Sequence, residues 1–444
     1  MATLSTAPPT SSPRVPSTIA YPPVPRTVEA TGLPFSFLCD LVLKVLYFNG
    51  SMLGGDLARH VRLPFSLVER TLKFLSDEGY CSSTGVQMTA MDAGESIGTG
   101  MQFLISSAGR ARARELIQLN QYAGPAPVRV EDYSAVAQHQ ALAPVRVTPS
   151  ALDEALGHLV LPEDLLVRLG PALNARQAIF IYGPPGNGKT SIAEACAGLL
   201  GDPLFVPHAL YVHGEVIRFF DPIHHSAVEL GLPPHDRRWQ LVQRPVVKVG
   251  GELLPRMLDL GFDPLLGFYE ASLQLKANGG LFLVDDFGRQ QHMQASDLLN
   301  RLIVPLERGV DHLNIARAGT SIAVPFTNLL VLSTNLRPSD LMDEAFLRRV
   351  RFKVLVPDPT EDEYRAIWQR ECQRAEVPWE PRAVEDLLER HYRGAGRALH
   401  GVHPRDLLEH VVQAARYRGE PARLTPASID LACETYFVQP SDGR

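Results

Sequence analysis

One stretch constrains this chain more than any other: Ala178 to Thr190. Ala178–Tyr182 is a short apolar run rich in strand formers, the pattern of a buried strand. It runs into Gly183, Pro184, Pro185, Gly186, Asn187, Gly188, Lys189 and Thr190, which fit the spacing of a phosphate-binding loop. Glycines let the backbone fold tightly so that successive N–H groups point inward at anionic oxygens. Ser191 to Leu200 then reads as a helix whose positive end faces those oxygens. The motif assigns Lys189 to the β- and γ-phosphates of a nucleotide and the Thr190 hydroxyl to Mg²⁺, with Ser191 closing the loop.

Bulk properties narrow the class. At 444 residues, 45% hydrophobic and 21% charged, the chain has room for two or three domains with a sizeable core. The formal charge of −6 argues against a general nucleic-acid coat and leaves a local basic patch open. The five cysteines, Cys39, Cys81, Cys196, Cys372 and Cys433, are scattered singly and define neither a disulfide framework nor a zinc pair. No run approaches the roughly eighteen apolar residues of a membrane span. No basic segment leads into an apolar one at the N-terminus. A soluble, cytoplasmic protein with reduced thiols and no membrane partner is expected. Histidines 208, 213, 224, 225 and 235 cluster, but no spacing among them demands a metal.

Residues 1–30, rich in Pro, Ser and Thr, read as a disordered tail, with Tyr21–Pro25 a candidate polyproline docking segment. From 31 to 123 the pattern is helical. Leu38, Leu41, Val42, Val45 and Leu46 make one stripe, and Leu57 and Val61 a second. Ser66 with Glu69 reads as a capping box opening a third helix that carries Val68, Leu72 and Leu75 and stops at Gly79. Two candidate strands follow, at Tyr80–Ser83 and Met101–Ile105, then a helix from Ala108. The order resembles a winged-helix domain. Its third helix mixes Arg70 and Lys73 with Glu69, Asp77 and Glu78, and Arg110, Arg112 and Arg114 suit either phosphates or a solvated face. DNA is therefore a less favoured partner than protein. Residues 124–155 read as a Pro/Ala/Val-rich linker, and Leu156–Leu173 as a helix leading to the loop strand.

Four more signals follow the phosphate loop. Gly279–Asp286 is an apolar run ending in two carboxylates, expected beside the loop strand. Leu329–Asn335 is a second apolar run ending in an amide. Glu344–Phe352 carries Arg348, Arg349 and Arg351, and His403–Leu408 starts a helix with Pro404 in its first turn. In this order the motifs resemble the AAA+ ATPases from about Leu156 to the C-terminus. The fold implied is α/β: a P-loop NTPase core (156–358) with a C-terminal helical lid (359–444), preceded by the winged-helix α+β domain.

The resemblance implies that Asp285 holds Mg²⁺ and that Asp286 activates the attacking water. The family places Glu there; Asp is one methylene shorter, and geometry counts on a scale of about 1 Å. Asn335 is implied as the residue that orients the water, and Arg405 as a lid contact to the γ-phosphate. Arg348 and Arg349 are candidate arginine fingers onto a neighbouring subunit, with Arg351 a third.

Between these motifs, Tyr211–Phe220 reads as strands around a His213-Gly214 turn, Asp297–Arg308 as a helix, and Asp311–Val324 as a hairpin. "LQLKANGGLFLVDD", "LLNRLIVPLERG" and the hairpin are similar to MoxR-type and enhancer-binding ATPases, which remodel protein partners through loops lining a hexamer's pore. Phe268 and Tyr269 are candidates for such a loop or for the core. The expected function is Mg²⁺-dependent ATP hydrolysis in a homo-oligomeric ring, a hexamer by resemblance, coupled to remodelling of a protein client. The alternative is an ATP-switched DNA-binding or scaffold protein with incidental hydrolysis.

Overall fold

A computed structural model of the chain describes residues 21–86, 100–141, 146–341 and 348–437. Near the N-terminus, the apolar stripes dictate helices at Phe35–Asn49, Gly54–Val61, Phe65–Asp77 and Ser107–Leu119. Leu41, Val45, Leu57, Val61, Val68 and Leu72 meet in one core. Strands β1 (Ser51–Leu53), β2 (Cys81–Val86) and β3 (Met101–Ile105) form an antiparallel sheet in the order β1-β3-β2. Strand β1 is absent from the sequence reading because three residues are too few to show a period. Ser66 does not cap its helix: the helix starts directly after Pro64, with no side-chain cap. Proline's restricted φ presets the entry that the capping box was expected to supply.

Of the expected tail, residues 1–20 lie outside the described residues, and Tyr21 onward is packed. The Tyr21 ring lies 5.7 Å from that of Phe205, and the Asp236 N–H donates to the Pro22 carbonyl at 2.8 Å. Tyr21–Pro25 thus docks on its own chain.

The expected linker is also structured. After β4 (Val128–Arg129), Val130–Ala141 forms a helix whose Val130, Tyr133 and Ala137 are buried at helical spacing. Asn278 donates to the Tyr133 hydroxyl at 2.9 Å, anchoring the segment to the body of the molecule. The expected helix over Leu156–Leu173 is two, Pro149–Leu156 and Glu163–Ala175, interrupted before Pro162.

The remaining strands, in chain order, are β5 (Ile179–Tyr182), β6 (Leu204–Pro207), β7 (Ala209–Val212), β8 (Glu215–Arg218), β9 (Trp239–Val242), β10 (Val246–Val249), β11 (Gly261–Asp263), β12 (Phe268–Glu270), β13 (Leu281–Val284), β14 (Val310–Ile315), β15 (Thr320–Pro325), β16 (Leu329–Thr334) and β17 (Phe352–Leu355). Five of them make an all-parallel sheet, β10-β13-β16-β5-β17. Apolar clusters cover its two faces, which is why its strands read as unbroken hydrophobic runs. The strand ending in Asp285 is not beside the loop strand, as expected, because β16 lies between them. All these strands are equally apolar, so their neighbours are set by crossovers that periodicity does not encode.

A second sheet is mixed, in the order β11-β12-β8-β7-β4. Its β7–β8 hairpin turns at His213 and Gly214, both at positive φ. The N-terminal unit docks on this sheet. Ala209, Val216 and Phe268 belong to its core, Phe37 packs 4.8 Å from Tyr211, and Tyr122 lies 5.6 Å from Phe268. The pore-loop candidates are therefore core residues: Phe268 is 6% exposed and Tyr269 1%. The turn before them presents Leu265 instead. The chain ends in helices Glu361–Arg374, Pro381–Leu387, His403–Arg418 and Pro426–Tyr436 around their own core.

Candidate nucleotide site

Parallel sheets collect chemistry at the carboxyl ends of their strands, and this one does so along β5, β13 and β16. After Tyr182 the chain passes through Gly183, where a Cβ would stand 2.1 Å from the Val356 carbonyl oxygen, so only glycine fits beside β17. Gly186, at φ 77, leaves a Cβ only 2.6 Å from the Val402 side chain. The helix Lys189–Ala197 begins at Gly188 with no side-chain cap, leaving its first N–H groups for an anion. The Lys189 ammonium donates to the carbonyls of Gly183 (3.0 Å) and Pro184 (2.7 Å). Burial pushes its pKa below the ordinary lysine range, and Asp285 and Asp286 oppose the shift.

Two polar pairs face this loop. Thr190 donates its hydroxyl proton to Asp285 Oδ2 at 2.7 Å, and Asn335 Nδ2 approaches Asp286 Oδ1 at 3.4 Å. Asp286 sits in left-handed backbone at φ 47, a region Asp tolerates better than most residues. Its position is braced from both sides. The Phe287 N–H donates to Ser333 O at 2.8 Å, and Thr334 returns a bond to Phe287 O at 2.8 Å. The buried Gln290 amide lies 3.3 Å from the carbonyls of both Asp285 and Asp286. Lys248 on β10 stands 3.8 Å from Asp285 and 3.1 Å from Glu194.

A cavity of about 500 Å³ gathers most of the expected site: Pro185 to Ser191, Asp285, Asp286, Asn335 and Arg405. Gly183 and Pro184 are outside its wall, contributing backbone packing and the lysine's acceptors. Arg348, Arg349 and Arg351 also lie away from it. Arg349 pairs with Glu307 at 2.6 Å, and Glu344–Leu347 lie outside the described residues. Arg405 is half-exposed and pairs with Asp406 at 2.9 Å.

The sequence reading missed Ile367, Arg370 and Arg374, which bring one face of the Glu361–Arg374 helix to the cavity. Their spacing of three and four was visible, but no motif singled it out. It also missed the latch made by Asn187. Asn187 donates to Pro357 O (3.1 Å) and Asp358 Oδ1 (2.8 Å), and the Gly401 N–H donates to its side-chain oxygen at 2.8 Å. One loop residue thus joins the phosphate loop to the segment after β17 and to the turn before the His403–Arg418 helix. Of the clustered histidines, His225 is buried against Phe219 and donates from Nε2 to the Lys276 carbonyl at 2.9 Å. His208 packs on Phe220. No described helix is long and apolar enough to cross a membrane.

The parallel sheet, the glycine loop at the end of β5 and the carboxylates at the end of β13 define an α/β fold of the P-loop type, and it fits an AAA+ core. A family model described as a domain of unknown function, DUF8689, matches residues 360–435, the helical C-terminal part. No curated protein matches the chain. Among solved structures, it is similar to a proline-to-glycine mutant of RuvB from Thermotoga maritima. The identity is 16%, covering 65% of this chain and 73% of that one, with a TM-score of 0.38. It is also similar to NtrX from Brucella abortus in complex with ATP, at 12% identity, 70% and 61% coverage and a TM-score of 0.37. At scores this low, the functional reading rests on the site's own geometry.

Proposed function

We propose that this chain is a Mg²⁺-dependent ATPase of the AAA+ type that works as a homo-oligomer, a hexamer, to remodel a protein partner. One observation carries the reading: the pairs Thr190–Asp285 and Asn335–Asp286 meet the phosphate loop on the wall of one cavity. Loop N–H groups and Lys189 bind the phosphates. The Thr190 hydroxyl and Asp285 carboxylate are adjacent hard oxygen donors, the set that suits Mg²⁺. An ion held by these two oxygens would supply charge neutralisation at the phosphoryl oxygens. Asp286 accepts the proton of the attacking water, and Asn335 holds that water in line. Arg405 closes from the lid on the γ-phosphate of its own subunit. Arg348 or Arg349, remote from the chain's own cavity, serves the neighbouring subunit.

In this reading residues 31–123 are a winged-helix domain, 156–358 the core and 359–444 the lid. The Phe65–Asp77 helix exposes Arg70 and Lys73 beside Glu69, Asp77 and Glu78. That mixed face suits protein better than a phosphate backbone.

The test is ATP turnover per subunit across a wide range of protein concentration. A rate that climbs with concentration and disappears in Arg348→Ala/Arg349→Ala supports a shared site. A rate per subunit that is flat with concentration and survives that double substitution removes the ring from the account. The second reading, an ATP-switched DNA-binding or scaffold protein, is favoured by the short Asp286. Tight ATP binding without turnover, together with a salt-dependent shift of duplex DNA, would select it.

A further inference from the structure

A second cavity, larger than the nucleotide site at about 710 Å³, opens where the N-terminal unit meets the segment before β9. Arg59, Arg62 and Phe65 line one side, and Pro233, His235 and Arg237 the other. Its charge runs against that of the chain, which is −6 overall. The wall holds three arginines and a histidine against one carboxylate, Asp56, and that carboxylate is already ion-paired with Arg59. Neither Arg62 nor Arg237 makes an ion pair or a side-chain hydrogen bond among the described residues.

Arg62 is held in place by its backbone. It terminates the helix Gly54–Val61 in left-handed conformation at φ 60, its N–H donating to Ala58 O. Non-glycine residues adopt that conformation at a small cost, and at a helix end it fixes the direction in which the chain leaves. The rest of the wall is apolar and stiff. Leu53 and Leu63 add hydrophobic surface, and Pro25, Pro64 and Pro234 add segments with little freedom to lose.

We propose that this cleft docks an acidic segment of a partner protein. Carboxylates of the segment pair with Arg62 and Arg237, and its apolar residues lie against Leu63 and Phe65. Guanidinium forks match carboxylates in two-point hydrogen bonds. The volume falls in the range of about 300–1,000 Å³ typical of specific ligand sites. A nucleic acid fits less well, because the chain is acidic overall and the arginines of the cleft stand among apolar side chains such as Leu53 and Phe65. The cleft shares no wall residue with the nucleotide cavity, so the proposal stands apart from ATP turnover.

The test selects random displayed peptides on the full chain at low salt. Recovered peptides are then titrated by fluorescence anisotropy against wild type, Arg237→Glu and Arg62→Glu/Arg237→Glu. The expected binders are rich in Asp and Glu interleaved with apolar residues, and they weaken as salt rises. Arg237 is exposed, so Arg237→Glu keeps the fold and alone should cost about tenfold or more in affinity. The same peptide with Gln and Asn in place of its acids should not bind, and Lys189→Ala should bind it as wild type does. Binders without acidic residues, acidic binders indifferent to Arg237→Glu, the recovery of no binder, or tighter binding of a short DNA duplex would each overturn the proposal.

Discussion

The chain's two five-stranded sheets place their polar residues in opposite ways. In the parallel sheet, β13 and the stretch of β16 from Leu329 to Leu332 are buried and wholly apolar, Ser333 and Thr334 close β16, and the candidate site's Asp285, Asp286 and Asn335 follow the ends of these two strands. In and around the mixed sheet the polar groups are inside. Arg238 and Asp236 form an ion pair with each side chain 4% exposed, and Arg238 also donates to the carbonyls of Thr31 (2.9 Å) and Pro127 (3.0 Å). Lys276 pairs with Asp221 at 2.8 Å, and Arg301 with the buried Asp311 at 2.6 Å. Charge at the rim of a dry sheet is available for chemistry. Charge paired and buried between elements adds little net stability, but breaking it is costly. The first arrangement makes a site, and the second fixes how the N-terminal unit, the insert and the segment after it sit together.

The largest expected effect lies on the parallel side. Asp286→Asn should lower ATP turnover by about 10²–10⁴-fold with ATP binding retained. Asp286→Glu, which lengthens the carboxylate by one methylene, should keep or raise turnover. On the mixed side, Arg238→Leu should destabilise the fold by about 3–5 kcal/mol in denaturant melts, because it strands a buried Asp236. Arg238→Leu/Asp236→Leu should recover most of that loss. Equal destabilisation by the single and double variants would break the contrast between the two sheets.

Acid should also act mainly outside the parallel sheet. Burial, with like charges nearby, pushes His208, His225 and His403 down to about 4 from 6.5. Each is neutral in the folded chain, so its contribution is complete above pH 6.5 and is lost as pH falls from there towards 4. Melting temperature should drop across that window, and replacing all three by Gln should flatten the slope. The smallest expected effect lies at the Asn187 latch. Asn187→Ala removes three hydrogen bonds of about 1 kcal/mol each, partly replaced by water, and should weaken ATP binding by less than about tenfold. Unchanged affinity would show that the latch does not report on the nucleotide.

What could be read from the sequence follows the same division. The phosphate loop, its strand and its helix are contiguous, so local chemistry specifies them, and Asp285, Asp286 and Asn335 stand out as polar ends of apolar runs. The order β10-β13-β16-β5-β17 depends on contacts far apart in the chain and was misjudged at β13. Phe268 and Tyr269 stay open between loop and core in the sequence because their partners, Tyr122 and Phe262, lie in other segments. The Val130–Ala141 helix was hidden by the prolines flanking it, although Val130, Tyr133 and Ala137 carried a helical stripe. Arg370 and Arg374 reach the cavity because the Glu361–Arg374 helix packs beside the phosphate loop, a contact far apart in the chain.

The central claim is that Lys189, Asp285 and Asp286 serve one ATP in one cavity. Equilibrium ATP binding and single-turnover hydrolysis, measured on wild type, Lys189→Ala and Asp286→Asn at saturating protein, test it most directly. The account predicts that wild type binds and hydrolyses, that Asp286→Asn binds without hydrolysing, and that Lys189→Ala loses both. Hydrolysis in Lys189→Ala at the wild-type rate, or no ATP binding by wild type, would contradict it.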